Sequence, residues 1–151
     1  MDVPPHFHFK YRRLVEFADT DLAGIVHFAN FFRFVESAEH AFFRSLGFRV
    51  HTSTGTDHQG WPRLEASCQF RRPAHFEQVL EICLRIEELR SSSLRYNFWI
   101  FEADAVDRNP LATGSFGIIH VELDPKAHRM SKAAIPAALR AKLEAVLAGT
   151  S

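Results

Sequence analysis

The chain has 151 residues, which is one domain's worth and enough to bury roughly 70% of the surface the unfolded chain exposes, so no metal or disulfide is needed for a stable core. Lys plus Arg is 18 and Asp plus Glu is 18, a balance that argues against a nucleic-acid binder held by basic charge. At 46% apolar and 24% charged the composition is globular, no apolar run reaches the ~18 residues of a bilayer span, and Met1-Asp2-Val3-Pro4-Pro5-His6 lacks the basic stretch and apolar core of a secretory signal.

Residues 7–17 alternate, with Phe7, Phe9, Tyr11, Val15 and Phe17 on one parity and His8, Lys10, Arg12 and Glu16 on the other. This predicts a strand with one buried face, broken by Arg13 on the apolar parity and Leu14 on the polar one. Residues 18–28 read as a loop, because Asp19, Thr20, Asp21 and Gly24 are turn formers. A helix is expected from Asn30 to Leu46, with Phe31, Val35, Ala38, Phe42 and Leu46 as its apolar stripe, Asn30 as N-cap and Gly47 as terminator. Phe32, Phe34 and Phe43 widen the stripe. Arg33, Glu36, Glu39 and His40 form the polar side, with Glu36 and His40 spaced for an i,i+4 pair.

Residues 49–60 read as a polar loop. Four strands then follow. Leu64–Phe70 and Leu80–Ile86 alternate, residues 94–105 are apolar on both parities, and 112–123 ends the sheet. Residues 76–90 also fit a helical stripe, but Pro73 and the Arg90–Ser93 cluster bracket them as a strand. Pro136 opens a short amphipathic helix with Leu139, Leu143, Val146 and Leu147. Strand, helix, four strands, helix is an α+β order, an antiparallel sheet wrapped on one long helix in a single domain over 1–151. It excludes an alternating dinucleotide fold, and no G-x-G-x-x-G occurs. Cys68 and Cys83 have no metal spacing and fit a cytoplasmic protein. The double-sided apolarity of 94–105 and the bare sheet edges predict a homo-oligomer.

The chemistry concentrates in Asp19-Thr-Asp-Leu-Ala-Gly-Ile-Val-His-Phe28 and the helix after it. Asp21 lies just before a helix whose first N–H groups have no internal acceptor. Such groups and the helix dipole can hold a developing oxyanion, and a carboxylate beside them can attack an acyl group or activate water. Read from the residues alone, Asp19 and Asp21 are equally well explained as turn residues.

The Asp-Thr-Asp-x-Ala-Gly-Ile-Val run, followed by Asn30 and a helix carrying Glu36, resembles the 4-hydroxybenzoyl-CoA thioesterase family of hot-dog-fold acyl-CoA thioesterases. The resemblance implies a five-stranded antiparallel sheet around the long helix, a short C-terminal helix, and a homodimer or homotetramer. It implies Asp21, not Asp19, as the catalytic carboxylate and the Phe28 backbone N–H as the group that polarises the thioester carbonyl. His27 is a candidate helper, Glu36 lies near the acyl ring, and Arg90, Ser91 and Ser92 lie at a corner that contacts the CoA nucleotide. Arg71-Arg72 is a second basic pair that could face the CoA phosphates or simply be solvated. No metal or cofactor is expected, since CoA belongs to the substrate, and neither nucleic acid nor membrane is a partner. Leu22 stands where the hydroxybenzoyl enzymes carry Pro, and His27 is displaced by one position from the short-chain enzymes' histidine, which leaves the acyl group open. A hot-dog hydratase or dehydratase and a non-catalytic acyl-CoA-binding protein are the alternatives.

Overall fold

Alternating side chains and β-branched or aromatic residues set five strands into one antiparallel sheet. The computed structural model describes residues 1–54 and 57–149. Strand β1 is Phe9–Leu14, helix α1 is Phe28–Ser45, and the short strands β2 and β3 are Thr52–Thr54 and Asp57–Gly60. Strands β4 (Arg63–Phe70), β5 (Val79–Leu89), β6 (Ser93–Glu102) and β7 (Ala112–Ile119) follow, then β8 (Val121–Asp124), β9 (Arg129–Lys132) and helix α2 (Ala137–Ala148). The main sheet has the order β1-β5-β6-β7-β4, so β1 and β4 are its edges. This is the five-stranded hot-dog arrangement with a short C-terminal helix.

Helix α1 packs on one face of that sheet. Its buried residues Phe31, Phe34, Val35, Ala38, Phe42 and Phe43 recur at helical spacing and meet Leu80, Ile82, Leu84, Phe98, Ile100 and Phe116 from the sheet. The helix begins two residues before Asn30, because the His27 ring is the N-cap and its Nδ1 accepts from the Ala29 N–H at 3.2 Å. Gly47 ends it as expected, at φ +83°, with the Phe48 N–H bonded back to the Phe43 carbonyl.

Arg13 breaks the β1 pattern for a local reason. Its guanidinium lies 4.5 Å over the Phe34 ring and donates to Asp19 Oδ1 at 3.3 Å. Glu39 departs from the polar helix side predicted for it. It is buried, accepts from Arg63 Nη1 at 2.7 Å and from the Tyr96 hydroxyl, and Arg63 stacks 4.0 Å over Phe116. Burial is the largest single influence on Arg63 and opposes its charge, but the hydrogen bond and charge of Glu39 together with Tyr96 outweigh it and raise the guanidinium's pKa. The Tyr96 phenol is pushed well above its ordinary value, by burial first and then by the Glu39 charge.

Three further readings need correction. Residues 49–60 are not all loop, since β2 and β3 pair there. Gly55 and Thr56 of that predicted loop lie outside the described residues. The strand predicted over 112–123 breaks at His120, whose N–H donates to the Ser92 carbonyl at 2.7 Å. Beyond the break, β8 joins a second sheet of order β2-β3-β8-β9. The apolar outer face of β6 is covered within the chain. Trp99 and Phe101 pack with Cys83 and Phe7, and Arg108 lies 4.2 Å over Phe101 while both its terminal nitrogens donate to Glu81 at 3.0 Å. That parity therefore does not call for a partner chain.

Candidate active site

The loop between β1 and α1 sorts its two aspartates into different jobs. Asp19 is buried, and its carboxylate is consumed by the Glu16 N–H at 2.9 Å and by Arg13. Its carbonyl accepts from the His27 N–H and from Asn30 Nδ2, both at 2.9 Å. Asn30 thus ties the helix start to this loop instead of capping the helix. Asp19 is structural.

Asp21 is exposed. Its N–H donates to the Ile25 carbonyl at 2.9 Å and its carbonyl accepts from the Gly24 N–H at 3.0 Å, which closes a tight turn. Gly24 takes φ +76°, a conformation that favours glycine there. Asp21 Oδ1 accepts from the Ala23 N–H at 2.8 Å, which fixes the carboxylate's orientation. Among the described residues, Oδ2 has no hydrogen-bond partner.

Asp21 and Phe28 line one cavity of about 480 Å3, within the range of ligand sites. Its walls are Ile25, Val26, Phe31, Phe70 and Pro73, with Arg71 and Arg72 at one side. Phe70 sets its ring edge-on to Phe28 and Phe31, at 6.3 and 5.4 Å between centroids. The Phe28 N–H heads the helix. Because the His27 ring takes the Ala29 N–H, the Phe28 N–H is left without an acceptor among the described residues. A carboxylate, an unpartnered helix N–H and an apolar wall suit addition to a carbonyl and stabilisation of the oxyanion that forms.

The other predicted site residues lie elsewhere. His27 stacks on Phe28 at 4.6 Å, but its Nδ1 is committed to the helix cap and it does not line the cavity. Glu36 sits two turns along α1, half exposed, 3.7 Å from Arg63 and not paired with His40. The Arg90 corner stands at the opposite end of β4. Arg90 pairs with Glu88 at 2.8 Å and lines a small cavity of about 110 Å3 with Leu64, Glu65 and Arg95. The Ser91 and Ser92 carbonyls accept from the Ile135 and His120 N–H groups, and Ser92 is buried. Within one chain, Asp21 and Phe28 line one cavity, and Glu36, Arg90, Ser91 and Ser92 do not join them. Sequence reasoning missed Phe70 as a cavity wall, and Phe70-Arg-Arg-Pro73 at a strand end was the available signal. Among the described residues no group of His, Cys, Asp and Glu is placed to hold a metal ion, and no helix is long and apolar enough to cross a membrane.

Comparisons with known proteins find relatives named for thioester hydrolysis. A 1,4-dihydroxy-2-naphthoyl-CoA hydrolase of Prochlorococcus marinus (strain MIT 9313) is 32% identical over 94 residues, spanning 58% of this chain and 62% of the relative. A 1,4-dihydroxy-2-naphthoyl-CoA thioesterase from Synechocystis superposes with a TM-score of 0.77 over 94% of this chain and 96% of that one, at 23% identity, and so shares the fold. A gentisyl-coenzyme A thioesterase structure gives a TM-score of 0.71 at 26% identity, over 87% of this chain and 98% of that one. The sequence profile of the thioesterase-like superfamily matches residues 15–143, and the chain belongs to that superfamily.

Proposed function

We propose that the protein hydrolyses an acyl-CoA thioester to the free acid and CoA, with Asp21 as the catalytic carboxylate. The observation that carries this reading is that Asp21 and Phe28 line the same largely apolar cavity, the one with a carboxylate oxygen and the other with an N–H unpartnered among the described residues. As nucleophile, Asp21 would add through a carboxylate oxygen to the thioester carbon, and the C–S bond would break to release CoA thiolate. Water would then cleave the mixed anhydride. As general base, Asp21 would take a proton from the water that attacks the same carbon, and the departing sulfur would end protonated. In both routes the Phe28 N–H would donate to the carbonyl oxygen as it becomes anionic. An aromatic acyl group is favoured over a short or medium aliphatic one by the Phe28, Phe31 and Phe70 rings and by the relatives named for dihydroxynaphthoyl and gentisyl thioesters.

The reading includes a homodimer through β4. This edge strand is exposed along most of its length, with Leu64 at 61% and Phe70 at 49% exposure. A bare, partly apolar edge is a template for pairing. Antiparallel pairing with the same strand of a second copy exchanges its ends. The second copy's Arg90 corner would then face this chain's Asp21, which would bring these expected site residues together.

Hydrolysis of a panel of acyl-CoAs, followed with a thiol reagent, tests the activity. Thiol release from aryl thioesters is the expected result. Binding without release would favour a non-catalytic module, and hydration of an enoyl thioester without thiol release would favour a hydratase. Sedimentation at micromolar concentration showing only a 17.3 kDa species would overturn the dimer.

A further inference from the structure

We propose that Arg71 and Arg72 bind the phosphate groups of the substrate's CoA portion, in a second cavity that shares both arginines with the Asp21 cavity. The proposal rests on the acyl-CoA reading above and assigns the place where the nucleotide end is held. A second cavity, of about 440 Å3, has both arginines in its wall, and the same two residues line the Asp21 cavity. They are the residues that the two linings share. The second cavity's other polar side chains are Asp2 and Asn109, so two guanidiniums face one carboxylate there.

Neither arginine takes part in an ion pair among the described residues. Both are held by neutral acceptors only. Arg71 Nη2 donates to Gln69 Oε1 at 3.2 Å, and Arg72 Nη2 donates to the Asn109 carbonyl. Their backbones are fixed as well, since both N–H groups donate to the Leu111 carbonyl at 2.8 and 3.1 Å. Two oriented cations that form no ion pair among the described residues, just beyond a strand end, suit the planar two-pronged recognition of phosphate by guanidinium. The geometry also separates charge by cavity. The uncharged thioester would lie with Asp21 among Phe28 and Phe70, and the anionic end would lie beyond the arginines, away from the Asp21 carboxylate. The chain's own Arg90 stands at the far end of β4, and in the proposed dimer the second copy's Arg90 would add to the Arg71 and Arg72 site, not replace it.

Calorimetric titration of the wild type, Arg71→Ala and Arg71→Ala/Arg72→Ala with CoA and with pantetheine, which has no phosphate, tests the proposal. Loss of charge-assisted contacts should weaken CoA roughly 10- to 100-fold in the double variant and leave pantetheine within about twofold. An unchanged CoA affinity, or an equal loss for both ligands, overturns it. Arg72 also pins the loop at Asn109, so Arg71→Ala and Arg72→Lys carry the test if the double variant does not fold. Their CoA affinity should still drop severalfold with wild-type melting. Hydrolysis separates the two readings. An unchanged KM for acyl-CoA in these variants defeats the arginine site and leaves the thioesterase standing. CoA binding through the arginines with no thioester hydrolysed by the wild type defeats the catalytic reading alone.

Discussion

Replacing Glu39 by Gln removes the charge at the centre of the buried cluster and keeps its shape. The Glu39 side chain is 3% exposed and the Arg63 side chain 26%. Removing one partner of a fully buried pair costs about 3–5 kcal/mol, because the other charge is stranded. Arg63 is less trapped than that. It is partly wetted, Glu36 lies 3.7 Å from it, and the Phe116 face stabilises its charge. The Tyr96 hydroxyl can still donate to the Gln carbonyl. The expected loss is therefore about 2–3 kcal/mol, or a melting point lower by roughly 5–10 °C for a chain of this size. Thermal and urea unfolding at one fixed protein concentration measures it, since association would shift both. A double-mutant cycle with Arg63→Met should show a coupling of at least about 1 kcal/mol between the two positions. Glu39→Gln within about 0.5 kcal/mol of wild type would refute the claim that this pair is structural.

The remaining predictions concern other parts of the chain. Burial pushes the Cys68 thiol up to about 11, and burial with the Glu81 charge pushes Cys83 up to about 12. At pH 8 a thiol reagent should label Cys68 about 100-fold and Cys83 about 1,000-fold more slowly than after unfolding, and fast labelling of the native protein would contradict this. His8 is held below its ordinary value of 6.5, by burial first and then by Arg85 and His6, and its Nδ1 accepts from the Ile86 N–H at 2.9 Å. The unfolded chain therefore binds this proton more readily. The stability involved is complete above about 6.5 and is lost as pH falls through the lower folded value, a slope that His8→Asn should flatten in pH-dependent melting. At Gly114 an added Cβ would lie 2.0 Å from the Ser67 carbonyl and 2.5 Å from the Phe98 ring. Gly114→Ala should cost more than the ~1–3 kcal/mol of ordinary overpacking, and an unchanged melting point would show that β4 and β7 can part without penalty.

Periodicity made most of the fold legible. The α1 stripe, the both-sided apolarity of β6 and the bracketing of β5 by Pro73 and the Arg90–Ser93 turn were local patterns with one structural solution. The second sheet was not legible, because β2, β3 and β9 are three or four residues long and carry few apolar side chains. Their pairing depends on β8 crossing from one sheet to the other at His120. The burial of Glu39 was equally hidden, since it depends on Arg63 and Tyr96 arriving from β4 and β6. Asp19 and Asp21 could not be separated by local propensity, as both suit a turn. Only the neighbours distinguish them, Arg13 and the Glu16 N–H for the one and an apolar cavity for the other.

That separation is tested most directly by kcat for Asp21→Asn beside Asp19→Asn, on an acyl-CoA the wild type hydrolyses well. Asn preserves the turn and the contact with the Ala23 N–H but cannot serve as nucleophile or base. Asp21→Asn should lower kcat by roughly 10²–10⁴ while melting like the wild type. Asp19→Asn should mainly lower the melting point, because it loses its ion pair with Arg13. Comparable kcat values for the two variants would remove Asp21 from the chemistry and contradict the account.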